Sequence, residues 1–166
     1  MTILYIVLAV ALALLLLPAI AGATLGTATA TEKKESAYFG DFIRQYAAQF
    51  GVPAKRVAAI IIHESDLDSN AVGKAGERGL MQLEPGAVAD INATYGLNIS
   101  FDDLFDPETN IKAGCAYLAI QYSRTSSWDK ATQAYNAGAK AVSVNPSAAL
   151  DYLSAVKGIE STLITF

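Results

Sequence analysis

The sequence predicts a mostly α-helical domain that follows an apolar N-terminal segment. Three observations support this fold class. Several segments after residue 36 repeat apolar residues at intervals of three and four, which places them on one face of a helix. Glycines and prolines stand where helix ends and helix starts favour them. No segment shows a convincing alternation of apolar and polar residues, the pattern of a half-buried strand.

Residues 1–23 are predicted to be a transmembrane anchor or a secretory signal. Residues 1–31 carry no charged side chain, and residues 3–17 are apolar without interruption up to Pro18. With the small residues that follow, the segment reaches the roughly 20 residues that span a bilayer. A cleaved signal usually has a basic start, which is absent here, so we favour an uncleaved anchor over cleavage near Ala23. Either interpretation exports the remainder of the chain.

Residues 24–35 form a predicted linker of small and polar residues, and residues 36–166 are predicted to be one domain. The formal net charge of −4 gives no basic surface, which argues against a nucleic-acid partner. Cys115 is the sole cysteine and His63 the sole histidine. An intrachain disulfide is therefore excluded, and the sequence argues against a zinc site.

Two helices precede the first candidate functional residue. The first begins near Ser36 and ends at Gly51, and its apolar face consists of Phe39, Phe42, Ile43, Tyr46 and Phe50. Pro53 is predicted at the first position of the second helix. Glu64 shares a face of that helix with the apolar residues Val57, Ile60 and Ile61. Because charged side chains seldom lie on an apolar face without a function, Glu64 is the leading candidate.

Residues 66–79 are predicted to be a loop, and a third helix is predicted from Pro85 to about Tyr95. Asp106 caps a fourth helix. One face of that helix is predicted to carry Ile111, Cys115, Leu118 and Tyr122.

The C-terminal part of the chain is predicted to contain two further helices. Ser126 or Ser127 caps the first of them, which stops at Gly138. A break at Pro146 then precedes a last helix over residues 147–157, which Gly158 is predicted to end.

The position of Glu64 favours general-acid chemistry. A carboxylate at the end of an apolar helix is desolvated, and desolvation raises its pKa because it disfavours the charged form. A carboxyl group that holds its proton near neutral pH is what cleavage of a glycosidic bond requires.

Four motifs occur in order along the chain. They are Glu64-Ser65; Gly79 to Gln82, followed by Pro85; Asn110, Ile111, Gly114, Tyr117 and Leu118; and Ala134 to Gly138. In this order they resemble the soluble-type lytic transglycosylase domain, a relative of goose-type lysozyme with the lysozyme-like fold. The resemblance covers roughly residues 38–152. It implies cleavage of the β-1,4 bond between N-acetylmuramic acid and N-acetylglucosamine, with a 1,6-anhydro product and no cofactor.

The resemblance also implies roles for individual residues. Glu64 would be the single catalytic acid and base, and the substrate-binding residues would be Ser65, Met81, Gln82, Tyr135 and Asn136. Amide side chains offer both a donor and an acceptor to sugar hydroxyl and acetamido groups, and tyrosine adds a flat apolar face. Leu80, Tyr117 and Leu118 are predicted to lie in the core, whereas Met81 is expected to flank the groove.

Two positions depart from the family pattern. Gly73 occupies a position where the family commonly has a serine that contacts the substrate. An Asn-Pro pair common in the family is replaced by Asp68-Ser69, and Ser69 is a candidate to supply the missing hydroxyl. Loss of one hydrogen bond costs about 0.5–1.5 kcal/mol, which slows a reaction without abolishing it.

Three alternatives stay open. A lysozyme-type hydrolase would need a second carboxylate to activate water, and Glu77 is the candidate. The spacing of Asp66, Asp68, Asn70 and Glu77 mimics a calcium loop, although Ala71 stands where such loops need glycine. A non-catalytic wall-binding component would keep the groove without turnover.

The predicted partners follow from the substrate and the anchor. They are the glycan strands of peptidoglycan, the membrane through the N-terminal segment, and virion or secretion-complex proteins. The predicted location is a membrane-anchored domain facing the periplasm and cell wall, with a phage virion or secretion after signal cleavage as alternatives. A domain of this size suits local opening of the wall during phage entry, secretion or conjugation.

Overall fold

The computed structural model of the protein describes residues 39–163. The predicted anchor or signal (residues 1–23) and the predicted linker (residues 24–35) lie outside the described residues. Within the described part, no helix combines the length and the apolar character needed to cross a bilayer.

Helices make up most of the described residues. In chain order they are α1 (residues 39–50), α2 (Ala54–Ser65), α3 (Pro85–Tyr95), a 3-10 helix (Phe101–Phe105), α4 (Pro107–Thr125), α5 (Trp128–Ala137), α6 (Ala139–Val144) and α7 (Leu150–Thr162). β-Structure in the same part of the chain is limited to two isolated antiparallel bridges, one between Val72 and Arg78 and one between Arg78 and Leu83. The prediction of a mostly helical fold is confirmed.

Most helix ends lie where the sequence predicts them. Gly51 follows α1 with a φ of +67°, a left-handed conformation that glycine adopts without steric cost. Asp106 and Ser127 each accept a hydrogen bond from a backbone N–H at the start of α4 and α5. Pro53 differs by one position, because it is the N-cap residue of α2 and not its first helical residue.

The C-terminal region departs from the prediction. The last helix covers Leu150–Thr162, not residues 147–157, and Gly158 lies inside this helix. A glycine within a helix costs roughly 1 kcal/mol relative to alanine, and complete burial of Val156 on the same helix offsets this cost. The short helix α6 and the 3-10 helix are absent from the prediction, because neither is long enough to show apolar periodicity.

The core is built around α4, which packs against α5, while α2 packs against α7. On the face of α4 that was predicted from the sequence, Ile111, Cys115 and Leu118 are fully buried. Tyr122 is 38% exposed. It lies in the last turn of α4, and its ring stacks on Trp128 with the centroids 4.0 Å apart.

Arg56 joins α2 to two other helices from a nearly buried position. Its side chain is only 8% exposed, and its Nε atom donates a hydrogen bond of 2.7 Å to Glu160 on α7. Nη1 donates one of 2.6 Å to the Thr132 hydroxyl, and Nη2 donates one of 3.3 Å to Asp129, both on α5. Because α2 carries Glu64, this network also fixes the helix that positions the candidate acid.

Candidate active site

Glu64 lies in the last turn of α2, and its side chain is half-buried. The chain turns away from the helix directly after Ser65, since Asp66 and Leu67 have φ values of 51° and 70°. Left-handed conformations of residues other than glycine are uncommon and strained, and such strain is concentrated at functional sites. The turn leaves the Glu64 carboxyl group at the end of α2.

Tyr152 holds this carboxyl group. Its hydroxyl donates a hydrogen bond of 2.6 Å to Oε1 of Glu64. Tyr152 lies on α7, and its ring contacts His63 edge-on with the centroids 4.9 Å apart. Burial, together with the negative charge of Glu64, raises the pKa of Tyr152 well above its ordinary value. The hydroxyl therefore keeps its proton and remains a donor.

The surroundings of Glu64 raise its pKa above the ordinary value of a glutamate. Burial is the largest cause, because desolvation disfavours the charged form. The negative charge of Glu77 acts in the same direction, whereas the hydrogen bond from Tyr152 favours the carboxylate and lowers the pKa. The balance is a carboxyl group that keeps its proton to higher pH than usual, as a general acid must.

The loop that leads to Gln82 owes its conformation to Gly79 and Asn110. Gly79 has a φ of +72°, and a side chain at this position would collide with the carbonyl of Leu104 and the amide of Asn110. Asn110 is fully buried and donates from Nδ2 to the carbonyls of Arg78 (3.0 Å) and Leu104 (2.8 Å). Its Oδ1 accepts from the backbone N–H of Met81 at 2.8 Å. These contacts fix the segment that leads to Gln82.

Gln82 is itself held in a defined orientation. Its φ of 45° is again left-handed. Nε2 donates hydrogen bonds to the carbonyls of Gly79 (2.8 Å) and Ala71 (3.1 Å). With the amide nitrogen engaged in this way, Oε1 is the atom of the side chain that remains available as an acceptor.

A cavity of about 320 Å³ lies beside Glu64, large enough for a small ligand group. Its lining includes Gln82, Tyr135 and Asn136, which were predicted to contact the substrate, and Glu77, the possible second carboxylate. The structure thus brings these side chains together with Glu64, and their contact with a sugar stays a prediction.

A family model described as the Transglycosylase SLT domain matches residues 41–151, well over half of the chain. The chain belongs to this family. The predicted resemblance to the soluble-type lytic transglycosylase domain, with its lysozyme-like fold, is therefore confirmed. The matched residues include Glu64 and the cavity beside it.

The similar proteins are named as lytic transglycosylases. Membrane-bound lytic murein transglycosylase C of Yersinia pestis (strain Pestoides F) is 40% identical over 81 residues, which cover 47% of this chain and 23% of the relative. An inactive glutamate-to-glutamine mutant of lytic transglycosylase Slt from Pseudomonas aeruginosa matches with a TM-score of 0.60 and 27% identity, over 73% of this chain and 21% of that one. The 70-kDa soluble lytic transglycosylase of Escherichia coli matches with a TM-score of 0.59 and 28% identity, over 72% and 19% respectively. The chain spans only about a quarter or less of the length of these proteins.

Two predictions for the SLT motif Gly79 to Gln82 have different outcomes. Leu80 is fully buried, as predicted. The prediction that Met81 flanks the groove is wrong, because its side chain is also fully buried and packs against Gly114. A Cβ atom at Gly114 would lie 2.6 Å from Cε of Met81, so the missing side chain makes room for the thioether. The backbone carbonyl of Met81 accepts a hydrogen bond of 2.8 Å from the Tyr135 hydroxyl.

Ser65 and Ser69 are also predicted to contact the substrate, and their contact with a sugar stays a prediction. The hydroxyl of Ser65 donates to the carbonyl of Leu80 at 2.9 Å and lies 3.2 Å from that of Ile61. Ser65 therefore joins α2 to the segment that carries Gln82. Ser69 lies in the turn after α2, and neither serine lines the cavity.

Three residues of the site escape the sequence-based prediction. Tyr117 was expected in the core but lines the cavity, as does Glu84, the N-cap residue of α3. Tyr152 has no role in the sequence-based prediction, yet its hydroxyl contacts Glu64 directly. A tyrosine after the fourth motif, at the end of the segment that resembles the family, was the signal that could have identified it.

The calcium-loop alternative gains no support from the geometry. Oδ1 of Asp68 accepts from the backbone N–H of Asn70 at 2.8 Å, and Oε2 of Glu77 accepts from that of Ala75 at 2.9 Å. No group of three or more acidic, histidine or cysteine side chains within residues 39–163 is arranged to hold a metal ion.

Proposed function

We propose that this SLT domain is a peptidoglycan lytic transglycosylase that cleaves the β-1,4 bond between N-acetylmuramic acid and N-acetylglucosamine. The observation that carries the proposal is the half-buried carboxyl group of Glu64, which faces the cavity with a raised pKa and is held at one oxygen by Tyr152. The names of the similar proteins support the same activity.

The first step breaks the glycosidic bond. Protonated Glu64 donates its proton to the bridging oxygen, and the bond between this oxygen and C1 of the muramic acid breaks with its electron pair leaving on the oxygen. The acetamido group of the same sugar stabilises the positive charge that develops at C1. Glu64 is now a carboxylate, which the hydrogen bond from Tyr152 favours.

The second step regenerates the acid. The 6-hydroxyl oxygen of the muramic acid attacks C1, and Glu64 takes the proton from that hydroxyl as the new bond forms. The product has a 1,6-anhydro end, no water is consumed, and Glu64 is again protonated. Neither step requires a metal or a cofactor, and one carboxyl group serves both.

Gln82, Tyr135 and Asn136 are proposed to position the sugar. Oε1 of Gln82 offers an acceptor in the cavity, and the exposed amide of Asn136 offers both a donor and an acceptor. The Tyr135 hydroxyl already donates to Met81, so this residue contributes mainly the face of its ring.

We further propose that residues 1–23 tether the domain to a membrane so that it acts on the nearby wall, as part of phage entry or of a secretion or conjugation machine. The uncharged apolar composition of this segment supports the tether, and the Yersinia relative is named as membrane-bound. Secretion after signal cleavage and incorporation into a virion are the alternative settings.

A lysozyme-type hydrolase is the second candidate, because Glu77 lines the same cavity as Glu64. The two functions differ in their products. Mass spectrometry of fragments released from purified peptidoglycan by the full-length chain should show 1,6-anhydro ends, and the Glu64→Gln variant should release none. Ordinary reducing ends would establish hydrolysis instead. No products from either protein would leave a non-catalytic wall-binding role.

A further inference from the structure

The carboxylate of Glu77 occupies the space that a side chain at Gly73 would need. A Cβ atom at Gly73 would lie 2.8 Å from Cδ of Glu77 and 2.7 Å from Oε1 of Gln82, with Oε2 of Glu77 nearer still. The φ angle of Gly73 lies outside the left-handed region, so its backbone does not require glycine. Glycine at this position therefore leaves free the space that the Glu77 carboxylate occupies.

The loop between these two residues holds the carboxylate in place. The N–H of Gly73 donates to the carbonyl of Glu77 at 2.8 Å, and the N–H of Gly76 donates to the carbonyl of Gly73 at 3.1 Å. Oε2 of Glu77 accepts from the N–H of Ala75 at 2.9 Å. Glu77 therefore points into the cavity from a closed turn, and both Gly73 and Glu77 line it with Glu64.

We propose that Gly73 and Glu77 form a matched pair, in which the missing side chain at Gly73 admits the Glu77 carboxylate to the cavity that Glu64 also lines, so that Glu77 acts on the candidate acid. Glu77 is then a positioning residue that acts through its charge and touches neither the scissile bond nor a water nucleophile. This inference rests on the role of Glu64 as the acid.

The charges around Glu64 support this role. Burial is the largest cause of the raised pKa of Glu64, and the Glu77 charge adds to it against the opposing hydrogen bond from Tyr152. Glu84, the N-cap residue of α3, also lines the cavity, and His63 on α2 packs on Tyr152. The other titratable groups around the cavity are the hydroxyls of Tyr117 on α4 and Tyr135 on α5. No lysine, arginine or histidine lines the cavity within the described residues to offset the negative charge.

The test measures the pKa of Glu64 directly, by NMR titration of the full-length protein carrying carbon-13 in its glutamate carboxyl groups. The Glu64→Gln variant identifies the resonance. Glu77→Gln should lower the pKa of Glu64, because it removes a neighbouring negative charge. Gly73→Ala should also lower it, because the added methyl group displaces the Glu77 carboxylate. In the double variant that combines Glu77→Gln with Gly73→Ala, the pKa of Glu64 should be the same as in Glu77→Gln alone.

Glu84→Gln is the matched control. It removes a carboxylate from the same cavity and should leave the titration of Glu64 unchanged. The proposal is overturned if Glu77→Gln leaves the pKa of Glu64 where it is in the unmodified protein. It is also overturned if Gly73→Ala shifts the pKa of Glu64 equally in the unmodified protein and in the Glu77→Gln variant.

Rates of peptidoglycan cleavage against pH provide the second readout. In Glu77→Gln the alkaline limb should move to lower pH, with anhydro products retained and the rate at acidic pH within a few fold of the unmodified protein. Reducing-end products that disappear in Glu77→Gln would show that Glu77 is a catalytic base, which contradicts the positioning role. If the unmodified protein cleaves nothing, the proposed function fails, while the NMR titration still decides whether the pair acts on Glu64.

Discussion

The hydroxyl of Tyr152 donates a hydrogen bond of 2.6 Å to Oε1 of Glu64, across 88 positions of the sequence. The contact exists because α7 packs against α2. It occupies one carboxyl oxygen and leaves the other available for the substrate. It also favours the charged form of Glu64, the form that this residue takes in the proposed reaction after it donates its proton.

Replacing Tyr152 with phenylalanine should both slow the reaction and shift its pH dependence. A hydrogen bond to a charged group contributes about 1.5–3 kcal/mol, so kcat/KM should fall about tenfold or more. Loss of the donor removes the contact that lowers the pKa of Glu64, so the alkaline limb of the pH–rate profile should move to higher pH. Tyr122→Phe, at an exposed ring outside the cavity, is the control. A limb that moves to lower pH would contradict the assigned role.

Replacing Glu64 with glutamine should stabilise the fold in a pH-dependent way. The pKa of Glu64 is raised in the folded state, so its favourable contribution is present at low pH and is lost as the pH rises through the folded pKa. Above that pH the folded protein carries a poorly solvated charge, which glutamine lacks. The Tm of the variant relative to the unmodified protein should therefore increase with pH. A constant difference from acidic to alkaline pH would show that the pKa is not raised.

Gly79→Ala should destabilise the protein by at least about 2 kcal/mol. Its φ of +72° disfavours any side chain, and the added methyl group would meet Leu104 and Asn110. Gly86→Ala is the matched control, because no atom lies within 4 Å of a Cβ at that helical position. The control should be neutral or stabilising by up to about 1 kcal/mol. Urea unfolding measures both changes, and equal values would refute the steric account.

Arg56→Met should cost about 2–3 kcal/mol of unfolding free energy, because it leaves Glu160 and Asp129 without their buried partner. Arg44→Met breaks an ion pair with Asp41 in which both side chains are more than half exposed. This second change should be within about 0.5 kcal/mol of neutral. If Arg44→Met lowers the unfolding free energy as much as Arg56→Met does, burial does not determine how much an ion pair contributes to stability.

Local signals account for the parts of the structure that the sequence predicts. The caps at Gly51, Asp106 and Ser127 depend on neighbouring residues alone, and the apolar stripe that carries Glu64 repeats within one helix. Such features can be identified without knowing which helices touch. The position of Gln82 beside Glu64 followed only from the resemblance to a family.

Tertiary contacts account for what the sequence did not predict. Tyr152 reaches Glu64 only through the packing of α7 on α2, and Met81 is buried because Gly114, on α4, leaves room for it. The steric relation between Gly73 and Glu77 depends on how their loop closes. None of these relations repeats at a helical spacing, so no period in the sequence reveals them.

The most direct test of the central claim is digestion of purified peptidoglycan in oxygen-labelled water, followed by mass spectrometry of the released fragments. A transglycosylase closes the muramic acid on its own 6-hydroxyl, so the account predicts 1,6-anhydro products without the label and no release by Glu64→Gln. Labelled reducing ends from the unmodified protein would show that water is the nucleophile and would contradict the proposed function.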